Sequence, residues 1–389
     1  MTTDIIAPIV DWLIDGAPSA TTPDAILREM CERVVAGGIP VWRAAIFVRT
    51  LHPEVMGRRI EWRDDTGISI GQASYAVFDS DSFRDSPVAS VYRDARPIRV
   101  RLDRDRSGEF PQLDALRAES GTDYLAFPVK FSNGEVHVGT WATRRPGGFT
   151  DRHLEALARL TGPLSRLTEA YALRRTATNL LDTYVGRDAG ARILGGQIRA
   201  GFTETIEAVI WLSDMRGFTA LADSMPPAAL MALLNRYFDC QVPVILGHGG
   251  EVLKFMGDGL LAIFPLAGRE PEAVCRAALH AAGEMRSAVA ALDGWPRVGH
   301  GPRHGLALHI GELLYGNIGA ANRLDFTCIG PAVNLAARLE ALAARLGRTT
   351  LVSAAFAQYG GAHLAPLGEF ALAGFRAPQP VYGLADEAG

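Results

Sequence analysis

The sequence predicts an α+β chain of two domains, because strand patterns that meet at tight turns occur beside separate helical segments. A chain of 389 residues is long enough for two domains that each bury a core. Apolar strand patterns flank short turns at residues 132–134 and 257–259. A stretch from residue 151 to about 188 is nearly free of helix breakers, and it separates the two halves.

Composition excludes several classes of function. The chain is 48% hydrophobic and 21% charged, with a net charge of −4, so it lacks the basic excess of a nucleic-acid-binding protein. Its four cysteines are far apart, and neither a signal segment nor an uncharged apolar run of about 20 residues is present. We therefore expect a cytoplasmic protein without membrane insertion. The run from Arg99 to Arg106 alternates in sign, which predicts a solvated edge.

The first half reads as a mixed α/β module. Its predicted elements are a helix over Pro23–Val35, strands over Val41–Leu51 and Val55–Trp62, and a hairpin of Tyr124–Phe131 with Glu135–Thr143. Thr150 is a suitable N-cap for a helix that begins at Asp151. This order of elements resembles the GAF family of small-molecule sensor domains. The resemblance implies a regulatory domain over residues 1–170, with an unknown small molecule or protein as its input.

The helical stretch after Asp151 carries apolar residues at three- and four-residue steps, including Leu157, Leu160, Leu164 and Leu167. Such a stripe fits a domain-closing helix that continues into a short dimeric coiled coil, and it fits equally a helix that packs only on its own domain. Pro163 would be tolerated with a kink. We assign residues 171–203 to a helical linker.

The second half, residues 204–389, alternates strands and helices. The predicted elements are a strand at Ala208–Leu212, a helix at Ala228–Leu246, a hairpin at Glu251–Phe264, a helix at Glu272–Leu292, strands at Gly305–Ile310 and Leu313–Ile318, a helix at Pro331–Leu346 and a strand at Thr350–Val352. Hairpins and crossovers together predict an α+β sheet with helices on one side.

Asp214 and Asp258 are the most informative residues of this half, because each ends or begins an apolar strand. Alone, Asp214 could be an N-capping residue and Asp258, in Gly257-Asp258-Gly259, a turn residue. Together, two carboxylates that meet across adjacent strands would be costly without a compensating cation. Mg²⁺ prefers few carboxylates together with substrate phosphates, so the pair predicts a two-metal site for phosphoryl chemistry.

The residues after Asp214 suggest how phosphates would be held. Free backbone N–H groups in Met215-Arg216-Gly217-Phe218-Thr219 could bind a triphosphate, and Gly217 would allow close approach. Farther along, Asn334 and Arg338 are four residues apart and share one helical face. An arginine there can neutralise phosphate charge in a transition state, although it could also be a surface arginine paired with a carboxylate.

Three motifs in order carry a second resemblance: Asp214 with Gly217-Phe218-Thr219, the segment Gly250–Gly259, and Gly330 with Val333–Arg338. They resemble the catalytic domain of the class III nucleotidyl cyclases. The resemblance implies a ferredoxin-like, palm-type fold and a site in which Asp214, Met215 and Asp258 bind two Mg²⁺ ions, for which Mn²⁺ can substitute. It also implies that Lys254 and Thr327 read the base, Asn334 orients the ribose and Arg338 stabilises the transition state.

The same resemblance implies that ATP is cyclised to 3′,5′-cyclic AMP and pyrophosphate. A lysine only donates, which suits the acceptor N1 of adenine, and the Thr327 hydroxyl can accept from the adenine amino group. Related enzymes work as dimers with composite sites, and this chain carries both halves of a site, as a homodimer requires. Ala373 stands where relatives often have a phosphate-binding lysine, and Arg376 is a candidate substitute. A guanylate cyclase and a catalytically silent nucleotide-binding regulator are the alternatives.

Overall fold

The computed structural model describes residues 4–104, 110–293, 295, 303–320 and 322–387. The chain divides into two compact units, residues 1–180 and 181–389. The boundaries of the regulatory domain, the linker and the catalytic domain given above remain predictions. None of the helices in the described ranges combines the length and the hydropathy of a membrane-spanning segment.

The N-terminal unit contains one antiparallel six-stranded sheet. Its strands are β1 (Arg43–Arg49), β2 (Val55–Arg63), β3 (Gly67–Ser74), β4 (Ile98–Val100), β5 (Asp123–Lys130) and β6 (Val136–Thr143), in the order β3-β2-β1-β6-β5-β4. Its helices are α1 (Ala7–Ile14), α2 (Pro23–Ala36), α3 (Tyr75–Asp79), α4 (Asp81–Arg84), α5 (Pro87–Asp94), α6 (Asp114–Ala118) and α7 (Asp151–Val185). Helices α1, α2 and α7 bury one face of the sheet, and α5 and α6 bury the other.

Three local predictions for this unit are confirmed: a helix, a hairpin and an N-cap. The helix predicted from Pro23 is α2, the predicted hairpin is β5–β6, and the Thr150 hydroxyl accepts a hydrogen bond from the His153 N–H at 3.3 Å at the start of α7. Helix α7 contains Pro163 and ends at Val185, where Gly186 takes a left-handed φ of 90°.

The charged run that begins at Arg99 is only partly the solvated edge that its alternation predicts. Arg99 lies on the edge strand β4, but its guanidinium binds the fully buried carboxylate of Asp123 at 2.7 Å. That carboxylate also accepts a 2.9 Å hydrogen bond from the backbone N–H of Phe149. A buried charge needs such a partner, and a sequence pattern cannot identify it. The end of the predicted run, Asp105-Arg106, lies outside the described residues.

The C-terminal unit contains an eight-stranded mixed sheet. Its strands are β7 (Thr203–Met215), β8 (Glu251–Met256), β9 (Gly259–Pro265), β10 (His304–Ala320), β11 (Arg323–Ile329), β12 (Thr350–Ser353), β13 (Leu364–Phe370) and β14 (Gln379–Leu384), in the order β13-β14-β12-β10-β7-β9-β8 with β11 paired to β10. Its helices are α8 (Arg187–Leu194), α9 (Phe218–Ser224), α10 (Pro227–Asp239), α11 (Val242–Gly247), α12 (Pro271–Ala290), α13 (Pro331–Leu346) and α14 (Ala354–Gly360). Strands β10 and β12 are parallel, and the other pairs are antiparallel.

Three expectations for this unit were wrong. The helix predicted over Ala228–Leu246 is two helices, α10 and α11, because Pro243 lacks the N–H that a continuous helix would need. The strands predicted at Gly305–Ile310 and Leu313–Ile318 are one strand, β10, since Gly311 and Glu312 stay extended and pair with β7.

The third correction concerns the helices, which cover both faces of the sheet and not one. Val209 and Trp211 pack into a core with α12 and α14, whereas Ala208 and Ile210 pack into a second core with α13. All four side chains are fully buried. Because alternate residues of a strand point to opposite faces, burial of both sets requires cover on both sides.

Candidate active site

The two aspartates lie at neighbouring strand ends in the middle of the C-terminal sheet. Asp214 is the second-last residue of β7, and Asp258 lies in the turn between β8 and β9 beside Gly257, which has a left-handed φ of 69°. Ser213 pairs with Leu260 across β7 and β9. A Cβ added at Gly259 would lie 3.3 Å from Asp214 Oδ1, so the start of β9 passes directly against this carboxylate.

The two carboxylates disfavour each other's charge. Burial raises the pKa of Asp214 to about 7, and the charge and hydrogen bond of Asp258 add to that rise. Glu340 raises the pKa further, whereas Arg216 opposes it. Within the described residues no group of three or more His, Cys, Asp or Glu side chains could enclose a metal ion. The pair can therefore supply only part of a coordination shell, as in Mg²⁺ sites that also use substrate phosphates and water.

Arg216 is placed differently from the prediction that its backbone N–H is free for phosphate. That N–H donates to the carbonyl of Arg303 at 3.0 Å, because β7 continues past the predicted strand end at Leu212 to Met215, which pairs with His304 of β10. The guanidinium forms an ion pair with Glu340 of α13 at 2.9 Å and donates to the Glu340 carbonyl at 3.3 Å. An added Cβ at Gly305 would overlap this guanidinium, so glycine is what lets the pair form.

The remaining residues of the predicted phosphate loop begin α9. Gly217 has a left-handed φ of 79° and precedes the first helical residue, Phe218, which is followed by Thr219. No hydrogen bond of the Phe218 or Thr219 backbone N–H is recorded within the part of the chain that is described. The Met215 side chain is buried in the core, which leaves only its main chain to reach a cation.

Lys254 and Thr327 lie on β8 and β11, which contact each other. Lys254 Nζ is 3.5 Å from a carboxylate oxygen of Asp325, and Asp325 shares a face of β11 with Thr327 because the two residues are two apart. Thr327 is 5% exposed, and its hydroxyl oxygen has no hydrogen-bond partner among the described residues. A buried hydroxyl without a partner is unfavourable, so the Thr327 hydroxyl has an unused capacity for a hydrogen bond.

Asn334 and Arg338 are exposed on α13, one turn apart. The Arg338 Nε donates a 3.2 Å hydrogen bond to the carbonyl of Ala373, the residue that stands in place of the expected phosphate-binding lysine. Glu340 is only two residues beyond Arg338, but residues two apart do not share a helical face. Helix α13 therefore directs Glu340 toward Arg216, next to Asp214, while Arg338 contacts a different part of the unit.

Sequence reasoning missed three residues of this region: Asp325, Glu340 and Gly305. Asp325 could have been found, because strand periodicity places it on the face of Thr327. The pairing of Glu340 with Arg216 joins residues 124 positions apart, and no local signal indicates it. The need for glycine at position 305 also depends on residues far away in the sequence, because the side chains of Arg216 and Glu340 occupy the space that a Cβ would need.

Comparison with known proteins finds similarity to adenylate cyclases. An adenylate cyclase of Anabaena cylindrica is 31% identical over 166 residues, which are 40% of this chain and 31% of that protein. Adenylate cyclase 1 of Rhizobium meliloti is 28% identical over 208 residues, which are 52% of this chain and 30% of that protein. A crystal structure of an adenylyl cyclase from P. aeruginosa is 27% identical with a TM-score of 0.43 and covers 47% of this chain and 96% of that one.

The two curated relatives are much longer than this chain, which spans about a third of their length. The matching part is well defined, because the family model of the adenylate and guanylate cyclase catalytic domain matches residues 203–382. These residues contain both aspartates, the Lys254–Asp325 pair, Thr327 and helix α13. The similarity of this chain to nucleotidyl cyclase catalytic domains therefore lies in residues 203–382.

Proposed function

We propose that this protein is an adenylate cyclase, which converts ATP into 3′,5′-cyclic AMP and pyrophosphate. The observation that carries the proposal is the juxtaposition of Asp214 and Asp258, where burial together with the charge of Asp258 raises the pKa of Asp214 to about 7. Such a pair is unfavourable in the free protein and is relieved by divalent cations that accompany a nucleotide. Both curated relatives described above are named adenylate cyclases.

The donor set fits magnesium, since it consists of hard oxygen atoms in a half-buried position. Asp214, Asp258 and the main chain of Met215 would hold two Mg²⁺ ions, with Mn²⁺ as a substitute. When bound, the ions would lower the pKa of the ribose 3′-hydroxyl and neutralise charge on the triphosphate. Gly217, Phe218 and Thr219 at the start of α9 would bind phosphate oxygens through backbone N–H groups. Arg216 contributes through its ion pair with Glu340 and not as a phosphate ligand.

Selection of adenine rests on Lys254 and Thr327. The ammonium group of Lys254 can only donate, which matches the acceptor N1 of adenine and opposes the N1–H of guanine. The Thr327 hydroxyl is buried and lacks a partner among the described residues, so it can accept from the adenine amino group. Asp325 holds Lys254 at 3.5 Å beside Thr327.

Asn334 would orient the ribose, and Arg338 would stabilise the charge that develops on the α-phosphate. Both side chains are exposed on α13. The Arg338–Ala373 hydrogen bond would have to open for Arg338 to reach phosphate. Arg376 is exposed close in sequence and could supply the charge that Ala373 does not.

The active site would be shared by two copies of the chain, because domains of this family act as dimers. The opposite directions of Glu340 and Arg338 on α13 support this arrangement, since Arg338 does not face the aspartates of its own chain. The surface around Lys254 and Thr327 supports it as well. Four large apolar side chains are 41–52% exposed there, which is typical of a surface that a partner covers: Phe255, Met256, Leu314 and Ile329.

Purified protein incubated with Mg²⁺ or Mn²⁺ and either ATP or GTP tests the activity, with products separated by chromatography. We expect cyclic AMP from ATP and at least tenfold less cyclic GMP from GTP. Cyclic GMP as the main product would identify a guanylate cyclase. No cyclic product from either nucleotide, with nucleotide still bound, would identify a silent nucleotide-binding regulator.

Complementation tests the shared site. Asp214→Ala and Arg338→Ala proteins should each be inactive, because each homodimer then has two incomplete sites. After subunit exchange, a mixed dimer regains one complete site, and activity should approach a quarter of the wild-type value at equal mixing. A mixture that stays inactive while mass spectrometry detects mixed dimers would contradict the composite site.

The N-terminal unit is proposed to regulate the cyclase as a GAF-like domain, with residues 171–203 as the connecting segment. Its sheet has two buried faces, and helices cover both. Limited sets of small molecules can be screened against the full chain by the shift of its unfolding temperature. A ligand that stabilises the protein and changes its cyclase rate would support the regulatory role.

A further inference from the structure

The N-terminal unit contains a cavity of about 450 Å³ between its sheet and helices α2 and α7. The sheet contributes Ile46, Val48, Arg58 and Ile60, which share one face because Ile46 pairs with Ile60 and Val48 pairs with Arg58. Helix α2 contributes Ile26 and Leu27, and α7 contributes residues from 164 to 178. Most of this wall is apolar, so the body of a ligand here would be a hydrocarbon.

Three arginines, Arg58, Arg174 and Arg175, line the same cavity. None of them forms an ion pair with any described residue, although the structure contains many other arginine–carboxylate pairs. The Nε of Arg58 is shielded from solvent and has no acceptor among the described residues. Burial lowers the pKa of Arg58, the nearby charge of Arg175 lowers it further, and Asp24 opposes the change. The guanidinium groups of Arg58 and Arg175 therefore repel each other without a counter-charge between them.

We propose that this cavity is a binding site for a single-chain amphiphile with an anionic head group. The head group would lie between Arg58 and Arg175, where it replaces repulsion by two charge-assisted hydrogen bonds. The tail would lie along Ile46, Ile60 and Leu167 and remove from water the apolar surface that Ile60 and Leu167 expose. A purely apolar ligand would leave the arginines uncompensated, and a small anion would leave the apolar wall exposed.

The site does not involve the cyclase domain, so its test is independent of the proposed activity. Binding of decanoate to the full chain is measured by isothermal titration calorimetry below the concentration at which decanoate forms micelles. Three matched probes separate the contributions of head and tail: decanol, decylamine and acetate. We expect decanoate to bind at one site per chain, at least tenfold more tightly than decanol, with no saturable binding of decylamine or acetate.

Variants of the chain assign the interaction to this cavity. The double variant Arg58→Gln/Arg175→Gln should weaken decanoate binding at least tenfold and leave the affinity for decanol unchanged. Arg28→Gln is the matched control, because Arg28 is an exposed arginine of α2 that does not line the cavity. Leu167→Trp should fill the apolar end and reduce binding of both decanoate and decanol, with an unfolding temperature close to that of the wild type.

Two results would overturn the proposal. One is unchanged decanoate affinity in the double variant. The other is the absence of saturable decanoate binding to the wild type, and a loss of dimers in Leu167→Trp, measured by light scattering, would then identify the apolar wall as a contact between two copies.

Discussion

Two carboxylates, one in each unit, are removed from water in opposite ways. Glu61 of the N-terminal unit is 5% exposed and is surrounded by Arg43, Arg59 and Arg63, with the closest nitrogen at 2.6 Å. Burial alone would raise the pKa of Glu61, but these arginines hold it below its usual value. Asp214 of the C-terminal unit faces a second carboxylate, and its pKa rises to about 7.

The difference separates a charge that is compensated within the fold from one that is not. The charge of Glu61 is fully compensated within the chain, so this residue stabilises the folded unit and has nothing left to bind. Asp214 is not compensated, because Arg216, whose charge opposes the rise of its pKa, is already paired with Glu340. A cation that binds to an uncompensated carboxylate pair gains a large favourable interaction, because it removes the repulsion within the pair. Three experiments examine this contrast.

The largest effect is expected for Asp214→Asn, which removes one negative charge from the pair. We expect the cyclase rate to fall about a thousandfold, because a neutral amide binds Mg²⁺ weakly and stabilises less transition-state charge. The unfolding temperature should stay equal or rise, because repulsion from Asp258 is lost. Rate assays and thermal unfolding of the same preparation measure both effects.

Asp223→Asn is the matched control, since Asp223 is an exposed aspartate of α9. It should keep the wild-type rate. A drop in the unfolding temperature of Asp214→Asn by several degrees would contradict the comparison, because it would show that Asp214 is needed for the fold.

A smaller effect, on stability alone, is expected for Glu61→Gln. Removing one partner of a buried ion pair leaves Arg43 without its counter-charge and should lower the free energy of unfolding by about 3 kcal/mol. Urea unfolding measures the loss in the free energy of unfolding. Hydrogen exchange of the β1 and β2 amides shows whether the loss affects the strands that contain Arg43 and Glu61. Glu54→Gln, at an exposed position, should change it by less than about 0.5 kcal/mol. Equal stability of the two variants would mean that the arginines around Glu61 do not depend on its charge.

The third experiment measures the pH dependence of stability without divalent cations. The folded protein holds a proton on Asp214 up to about pH 7, whereas an unfolded aspartate loses it near 3.8. Stability from this residue therefore falls as pH rises between these values. Glu61 has the opposite sign, because its lowered pKa gives stability that is present above 4.5 and is lost as pH falls through the folded value.

Unfolding midpoints of wild type and Asp214→Asn, measured across this pH range, isolate the first contribution. The advantage of Asp214→Asn over wild type should grow as pH rises toward about 7 and then become constant. A difference that is independent of pH would show that Asp214 titrates normally and that the two carboxylates are not in contact.

The two carboxylates also show what a sequence can predict. Asp214 and Asp258 were found because each lies at the end of an apolar strand within a short motif. Such a motif can be recognised in the sequence without knowledge of the fold. Glu61 was not found, because Gly57–Arg63 reads as an ordinary polar strand and gives no sign that its charged face is buried. The strands and helices followed local patterns well, whereas the continuous β10 and the cover on both sheet faces depend on long-range pairing with β7.

The ion pair between Arg216 and Glu340 gives the proposed dimer a property that neither residue has alone. Within one chain it joins the loop after Asp214 to helix α13. If Asp214 serves one active site and Arg338, which lies on α13 with Glu340, serves the other, the ion pair is a direct link between the two sites. Closure of one site around its nucleotide would then move the helix that completes the second. The rate should therefore depend on ATP concentration cooperatively, and Glu340→Gln should make that dependence hyperbolic.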